Sequence, residues 1–239
     1  MRVSTAFALV AAAIGVHSAP VAELATRAVI DHDKVVGFPQ TVPAGAVGSA
    51  YLRYQPYLKV VNGCVPFPAV DAQGNTSGGL STSGSSNGDC AKNLGQVYAR
   101  GTAYNGRYAI MYGWYWPKDS PSPGFGHRHD WESAIVWLDD VNKASPTILA
   151  ISTSAHGGFD TETSGLQLSG TRPKIQYYST WPVNHQLGTT STQGGEQPLV
   201  AWESMTQAAR DALQNTDFGS ANVPFKDGNF LSNLAEASF

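Results

Sequence analysis

Two aromatic and apolar runs, residues 107–116 and 134–138, stand on either side of a proline-glycine loop and a densely charged heptad. The first run carries Tyr108, Met111, Tyr112, Trp114, Tyr115 and Trp116, and the second reads Ala134-Ile135-Val136-Trp137-Leu138. Aromatic and β-branched side chains suit a pleated, half-buried surface, so both runs read as strands. Pro117-Lys118-Asp119 is expected to end the first. Ser120-Pro121-Ser122-Pro123-Gly124 cannot join a sheet ladder, because proline lacks the N–H and fixes φ. The chain must therefore turn back, which places Asp119 at the mouth of a hairpin opposite Gly126-His127-Arg128-His129-Asp130-Trp131-Glu132.

The rest of the chain repeats short strand signals separated by turns. Strands are expected over residues 57–61, 96–100, 147–152, 174–179 and 199–203. Helical spacing appears at residues 46–54, 205–215 and 230–235. The 25 glycines and 14 prolines among 239 residues supply the turn chemistry that so many short strands require. This pattern predicts a mostly β, α+β architecture: one β-sandwich domain over residues 30–239 with flanking helices.

The N-terminus reads as an export signal over residues 1–18, with Arg2, an apolar run at 6–16, and small residues at Val16 and Ser18 before a cut at Ala19. Residues 19–29 lack pattern and are expected to be a flexible segment. No later run reaches the roughly 18–20 apolar residues of a membrane helix, so any membrane contact is expected to be peripheral. A formal net charge of -3 offers no basic field for duplex nucleic acid. In an oxidising compartment the two cysteines, Cys64 and Cys90, are expected to form one disulfide. It would close a Gly/Ser-rich loop that is expected not to order itself. Asn75-Thr76-Ser77 in that loop is a possible N-glycosylation site.

The heptad concentrates imidazole and carboxylate. Asp130 and Glu132 are two apart, so on a strand they face one side. His127 and Asp119 can turn toward the same point. Three converging carboxylates raise one another's pKa unless a cation neutralises them. Oxygen-rich ligation with one imidazole suits Mg²⁺, Ca²⁺ or Mn²⁺ better than zinc. The residues themselves leave two roles open: a hydrolytic metal site with His129 as general base, or an ion whose open positions hold ligand oxygens.

The heptad, with the preceding Ala109-Ile110-Met111-Tyr112-Gly113-Trp114-Tyr115-Trp116-Pro117-Lys118-Asp119, closely resembles the hallmark region of the necrosis- and ethylene-inducing-peptide-like proteins, secreted cytolysins of plant-associated microbes. The resemblance runs from about Ile30 to the C-terminus, includes Leu58-Lys59-Val60-Val61-Asn62-Gly63-Cys64, and matches the two-cysteine type. It implies a single β-sandwich shaped like the actinoporins and no enzymatic activity. It also implies a divalent cation, Mg²⁺ or Ca²⁺ with Mn²⁺ as a further choice, on Asp119, His127, Asp130 and Glu132. His129, Asn184 and His185 would serve activity and head-group binding, and Trp181 would touch the membrane. Asn184 stands where many members carry Asp, and Trp116 where Met or Phe is more usual. The implied target is the glycosylinositol phosphorylceramide sphingolipid of the plant plasma-membrane outer leaflet, and residues 109–132 resemble a peptide that plant immune receptors detect. Two alternatives accompany this reading: a non-lytic member sensed as a microbial pattern, and a metal-dependent glycan or lipid hydrolase.

Overall fold

A computed structural model of the chain describes residues 27–122, 124–180 and 184–239. The expected export signal and Trp181 lie outside the described residues. In chain order the elements are β1 Val29–Ile30, α1 Ala46–Arg53, β2 Tyr57–Val60, β3 Thr76–Ser77, β4 Val97–Tyr104, β5 Arg107–Asp119, β6 His127–Leu138, β7 Ile148–Ala155 and β8 Gly158–Glu162. They continue with β9 Leu168–Ser169, β10 Arg172–Thr180, β11 Asn184–Thr189, β12 Leu199–Ala201, a 3₁₀ turn Trp202–Ser204, α2 Gln207–Asn215 and α3 Phe230–Glu236.

Six strands form the main sheet in the order β12-β4-β5-β6-β7-β8, antiparallel throughout except for the parallel β12–β4 pair. A smaller sheet, β11-β10-β2 with β9 on β10, packs across it. The expected mostly β fold with flanking helices is the one observed.

β5 explains the unbroken apolar run in the sequence. A strand with one wet face would alternate, whereas a strand covered on both faces reads as continuous hydrophobic residues. On one face Trp116 stacks on Tyr177 of β10 with ring centroids 4.0 Å apart, and the Tyr112 hydroxyl donates to the Tyr51 carbonyl of α1 at 2.8 Å. On the other, Tyr115 packs against Trp131 and Phe218, and Phe225 closes over Gly113 so tightly that a side chain there would collide. α2 buries Ala209, Ala212 and Leu213, and Thr206 caps it by accepting the Ala209 N–H at 3.2 Å.

Several boundaries depart from expectation. β5 does not stop at Trp116 but runs through Pro117 to Asp119, because the irregular ladder described below leaves Pro117 without a register partner. β8 and β11, which carry no strand signal in the sequence, extend hairpins whose registers are set by β7 and β10. The segment expected to be a disordered Gly/Ser loop is tied down. Cys64 and Cys90 are bonded, with Cα atoms 5.0 Å apart. Thr76 and Ser77 are buried and pair with Val29 and Ile30, so Val29, expected in a flexible segment, is part of the fold. Ser77 Oγ also accepts the buried Tyr115 hydroxyl at 2.9 Å. Asn75 is accordingly half-buried and not in an open loop. Its Nδ2 donates to Asp71 Oδ2 at 2.9 Å and its Oδ1 accepts the Ala28 N–H at 3.1 Å, so the nitrogen a glycan would need is already engaged.

Candidate functional site

From Tyr108–Leu138 to Trp116–Asp130 the β5–β6 ladder is regular. Asp130 and Glu132 therefore share a face, as their spacing requires. Beyond Trp116 the ladder breaks. Pro117 has no N–H to give, Arg128 and His129 both fall opposite Lys118, and His129 takes a left-handed φ of 61°. Each strand thus spends three residues, Trp116 to Asp119 and Asp130 to His127, on a return to the same face that a regular strand makes in two. The double irregularity brings Asp119 and His127 onto the Asp130 side, with His127 Nε2 3.7 Å from Asp119 Oδ2. Lys118 goes the other way and donates to the Ser85 carbonyl at 3.0 Å, inside the disulfide loop. Gly126 closes the turn at φ 86°, where a Cβ would strike the Asp119 carbonyl.

Each acid has its own protein donor. His185 Nδ1 donates to Asp119 Oδ1 at 2.6 Å, and the His185 backbone N–H reaches Oδ2 at 3.2 Å. The Tyr177 hydroxyl donates to Asp130 Oδ2 at 2.8 Å, and the Ser154 hydroxyl donates to Glu132 Oε2. The Trp116, Tyr177 and His185 rings form a continuous stack, with centroid spacings of 4.0 and 4.5 Å.

The electrostatics are those of acids crowded without enough positive charge. Asp130 is pushed up to about 7, first by burial and then by the neighbouring Asp119 charge. Burial, followed by the Asp130 charge, drives Glu132 well above the usual carboxylate range. Among the described residues, no three His, Cys, Asp or Glu side chains stand together as a ready-formed ligand set. The donor chemistry nevertheless fits a hard divalent cation: three carboxylates and one imidazole around buried negative charge.

His127, Asp130 and Glu132 open onto a cavity of about 540 Å³, and Asp119 is not among its lining residues. His127, Asp130, Glu132, Asn184 and His185 line it. His129 does not. As the neighbour of Asp130 on the strand it faces the opposite side of the sheet, where Nδ1 lies 2.7 Å from the Tyr115 hydroxyl and the ring meets Phe218 edge-on. Burial, then the Arg128 charge, pushes its pKa down to about 4. His129 is thus packed outside the cavity lining, against Tyr115 and Phe218.

Sequence reasoning missed Tyr177 and Ser154, and it missed the wall that the 220–224 segment and α3 give the cavity. Tyr177 looked like an ordinary strand aromatic. Its flanking Ile175 is buried while Gln176 and Tyr178 are only partly so, which marks Tyr177 as inward-facing, but its hydroxyl's partner is 47 residues away.

The family model described as Necrosis inducing protein (NPP1) matches residues 48–237. NLP effector protein 10 of Phytophthora capsici is 55% identical over 215 residues, covering 88% of this chain and 92% of the relative. A solved structure described as a toxin fold as basis for microbial attack and plant defense superposes with TM-score 0.85 at 55% identity, over 89% of this chain and 100% of the other. The structure of NLPPya in complex with mannosamine gives TM-score 0.84, also at 55% identity, with the same coverage of 89% and 100%. With a family model spanning most of its length and a relative of this identity, the chain belongs to the necrosis-inducing protein family.

Proposed function

We propose that this protein is a secreted, non-enzymatic cytolysin that grips the sugar end of plant sphingolipid head groups through a divalent cation held by Asp119, His127, Asp130 and Glu132. The observation that carries this reading is the charge of the cavity. Asp130, Glu132 and Glu236 line it, and no Lys or Arg does among the described residues. Such a cavity favours a cation and hydroxyl-bearing rings and disfavours an anion. The sugars of a glycosylinositol phosphorylceramide would enter while its phosphate stays outside. The mannosamine bound by NLPPya supports a sugar as ligand.

The ion, when bound, supplies open coordination positions for sugar hydroxyls and cancels the repulsion among the acids. His185, Tyr177 and Ser154 hold the carboxylates in place. Fixed donors on every acid suit ion holding better than proton transfer, which favours recognition over hydrolysis. Retention at the outer leaflet then lets the surrounding loops perturb the bilayer, with Trp181 as the proposed contact.

Dye release from vesicles with and without the plant sphingolipid, each with and without chelator, tests this reading. Release is expected only with sphingolipid and free divalent cation. Equal release from sphingolipid-free vesicles would overturn it, and covalent change in the lipid would favour the hydrolase alternative.

A further inference from the structure

β2 and β10 run parallel from the Tyr57–Lys174 pair to Val60–Tyr177, and beyond it the Val61 N–H still donates to the Tyr177 carbonyl at 2.9 Å. One residue further, a side chain continues the ladder. Asn62 Oδ1 accepts the Ser179 N–H at 3.0 Å, and Asn62 Nδ2 donates to Ser179 Oγ at 2.6 Å. A primary amide carries both an acceptor and a donor, so the two ends of one exposed side chain close on a single residue of β10. Gly63 then turns the chain at φ 81° into the disulfide-bonded Cys64.

Ser179 lies opposite His185 in the β10–β11 register. His185 gives two donors to Asp119, its Nδ1–H and its backbone N–H, whereas its Nε2 has no hydrogen-bond partner among the described residues. The ring is therefore fixed by Asp119, by the Tyr177 ring on one face, and by whatever closes on its far edge. That edge meets Gly63, where a Cβ would lie 2.8 Å from Nε2. Asn62 and Gly63 are not among the cavity-lining residues, yet they brace the strand and the ring that aim Asp119.

We propose that the Asn62–Gly63 turn is a positioning device for the acid cluster: Asn62 fixes Ser179, Ser179 fixes its register partner His185, and His185 aims Asp119 at the cation. This rests on the reading of Asp119 as a cation ligand. It adds a residue outside the cavity that sets the affinity for the ion.

Asn62→Ala tests it in two readouts. In chelator-treated protein, hydrogen exchange of the His185 amide, followed by NMR, should speed up by roughly fivefold. In titration calorimetry, Mg²⁺ affinity should fall by about three- to tenfold, less than the 10–100-fold typical of a direct partner of a ligand. The melting temperature in chelator should drop by no more than about 4 °C, as for one net hydrogen bond at the surface. Ser179→Ala, which keeps the N–H and loses only Oγ, should show both changes at smaller size. Asn62→Asp, whose carboxylate accepts both the Ser179 N–H and its hydroxyl, should restore slow exchange. In a His185→Phe background, Asn62→Ala should add no further loss of affinity. Wild-type exchange and affinity in folded Asn62→Ala would overturn the proposal, as would an undiminished further loss in the His185→Phe background. Absence of Mg²⁺ binding by folded wild type would instead overturn the cation reading, and the exchange rates would then decide alone whether Asn62 holds His185 on Asp119.

Discussion

Tyr177 donates its hydroxyl to Asp130 Oδ2 at 2.8 Å from a position between the Trp116 and His185 rings. The hydroxyl aims a buried carboxylate that two neighbouring acids repel, and the stack prevents the phenol from turning away. Groups behind a metal ligand typically change affinity by about 10–100-fold when lost. Tyr177→Phe should keep the fold, lower divalent-cation affinity by roughly tenfold, and destabilise the protein by about 1–3 kcal/mol through the unpaired acceptor. Titration calorimetry and thermal melts check both parts, and unchanged cation affinity would remove Tyr177 from the site.

The pH dependence of stability should differ with and without the ion. Asp130, pushed up to about 7, favours the folded state when protonated. Its contribution is complete below the unfolded value near 3.8 and is lost as pH rises to about 7. Glu132 shifts in the same direction. His129, pushed down to about 4, acts oppositely, losing stability as pH falls from its ordinary 6.5. It affects both samples alike and cancels in the difference. A divalent cation binds the ionised acids, so the Mg²⁺-induced rise in melting temperature should be larger at about pH 8 than at about pH 5. Calorimetric scans with Mg²⁺ and with chelator measure it, and equal increments would contradict the assignment.

Gly126 is the most sensitive position in the β5–β6 turn. Its φ of 86° disfavours any L side chain, and a Cβ would strike the Asp119 carbonyl. Gly126→Ala should displace Asp119, costing about 1–3 kcal/mol of stability and most of the cation affinity. Melting curves and cation titration of the variant give the answer.

Cys64 and Cys90 are 26 residues apart. Loop entropy assigns their bond about 3.5 kcal/mol. Replacing both by serine should lower stability by about that amount and loosen the loop that Lys118 holds through Ser85. Denaturant unfolding of the double variant, compared with the reduced wild type, checks the value.

The sequence made much of this legible where periodicity and chemistry were local. The apolar run of β5, the two-residue spacing of Asp130 and Glu132, and the helical stripe of α2 all read directly as structure. Long-range relations did not. Nothing near Ser77 signals that it accepts the Tyr115 hydroxyl, so a Gly/Ser-rich stretch looked disordered when it was half of a buried pair. Strict alternation would put His127 on the face away from Asp130, and only the irregular ladder that Pro117 and the left-handed φ of His129 create brings it round. The polar far wall of the cavity came from α3 and the 220–224 segment, about 100 residues after the heptad.

The central claim is that Asp119, His127, Asp130 and Glu132 hold a divalent cation that readies the cavity for a sugar. Calorimetric titration of Mg²⁺ or Ca²⁺ into chelator-stripped wild type and Glu132→Ala, both verified as folded by circular dichroism, tests it most directly. The account predicts one saturable site in wild type and none in Glu132→Ala. Equal binding by the two proteins, or no binding by the folded wild type, would contradict it.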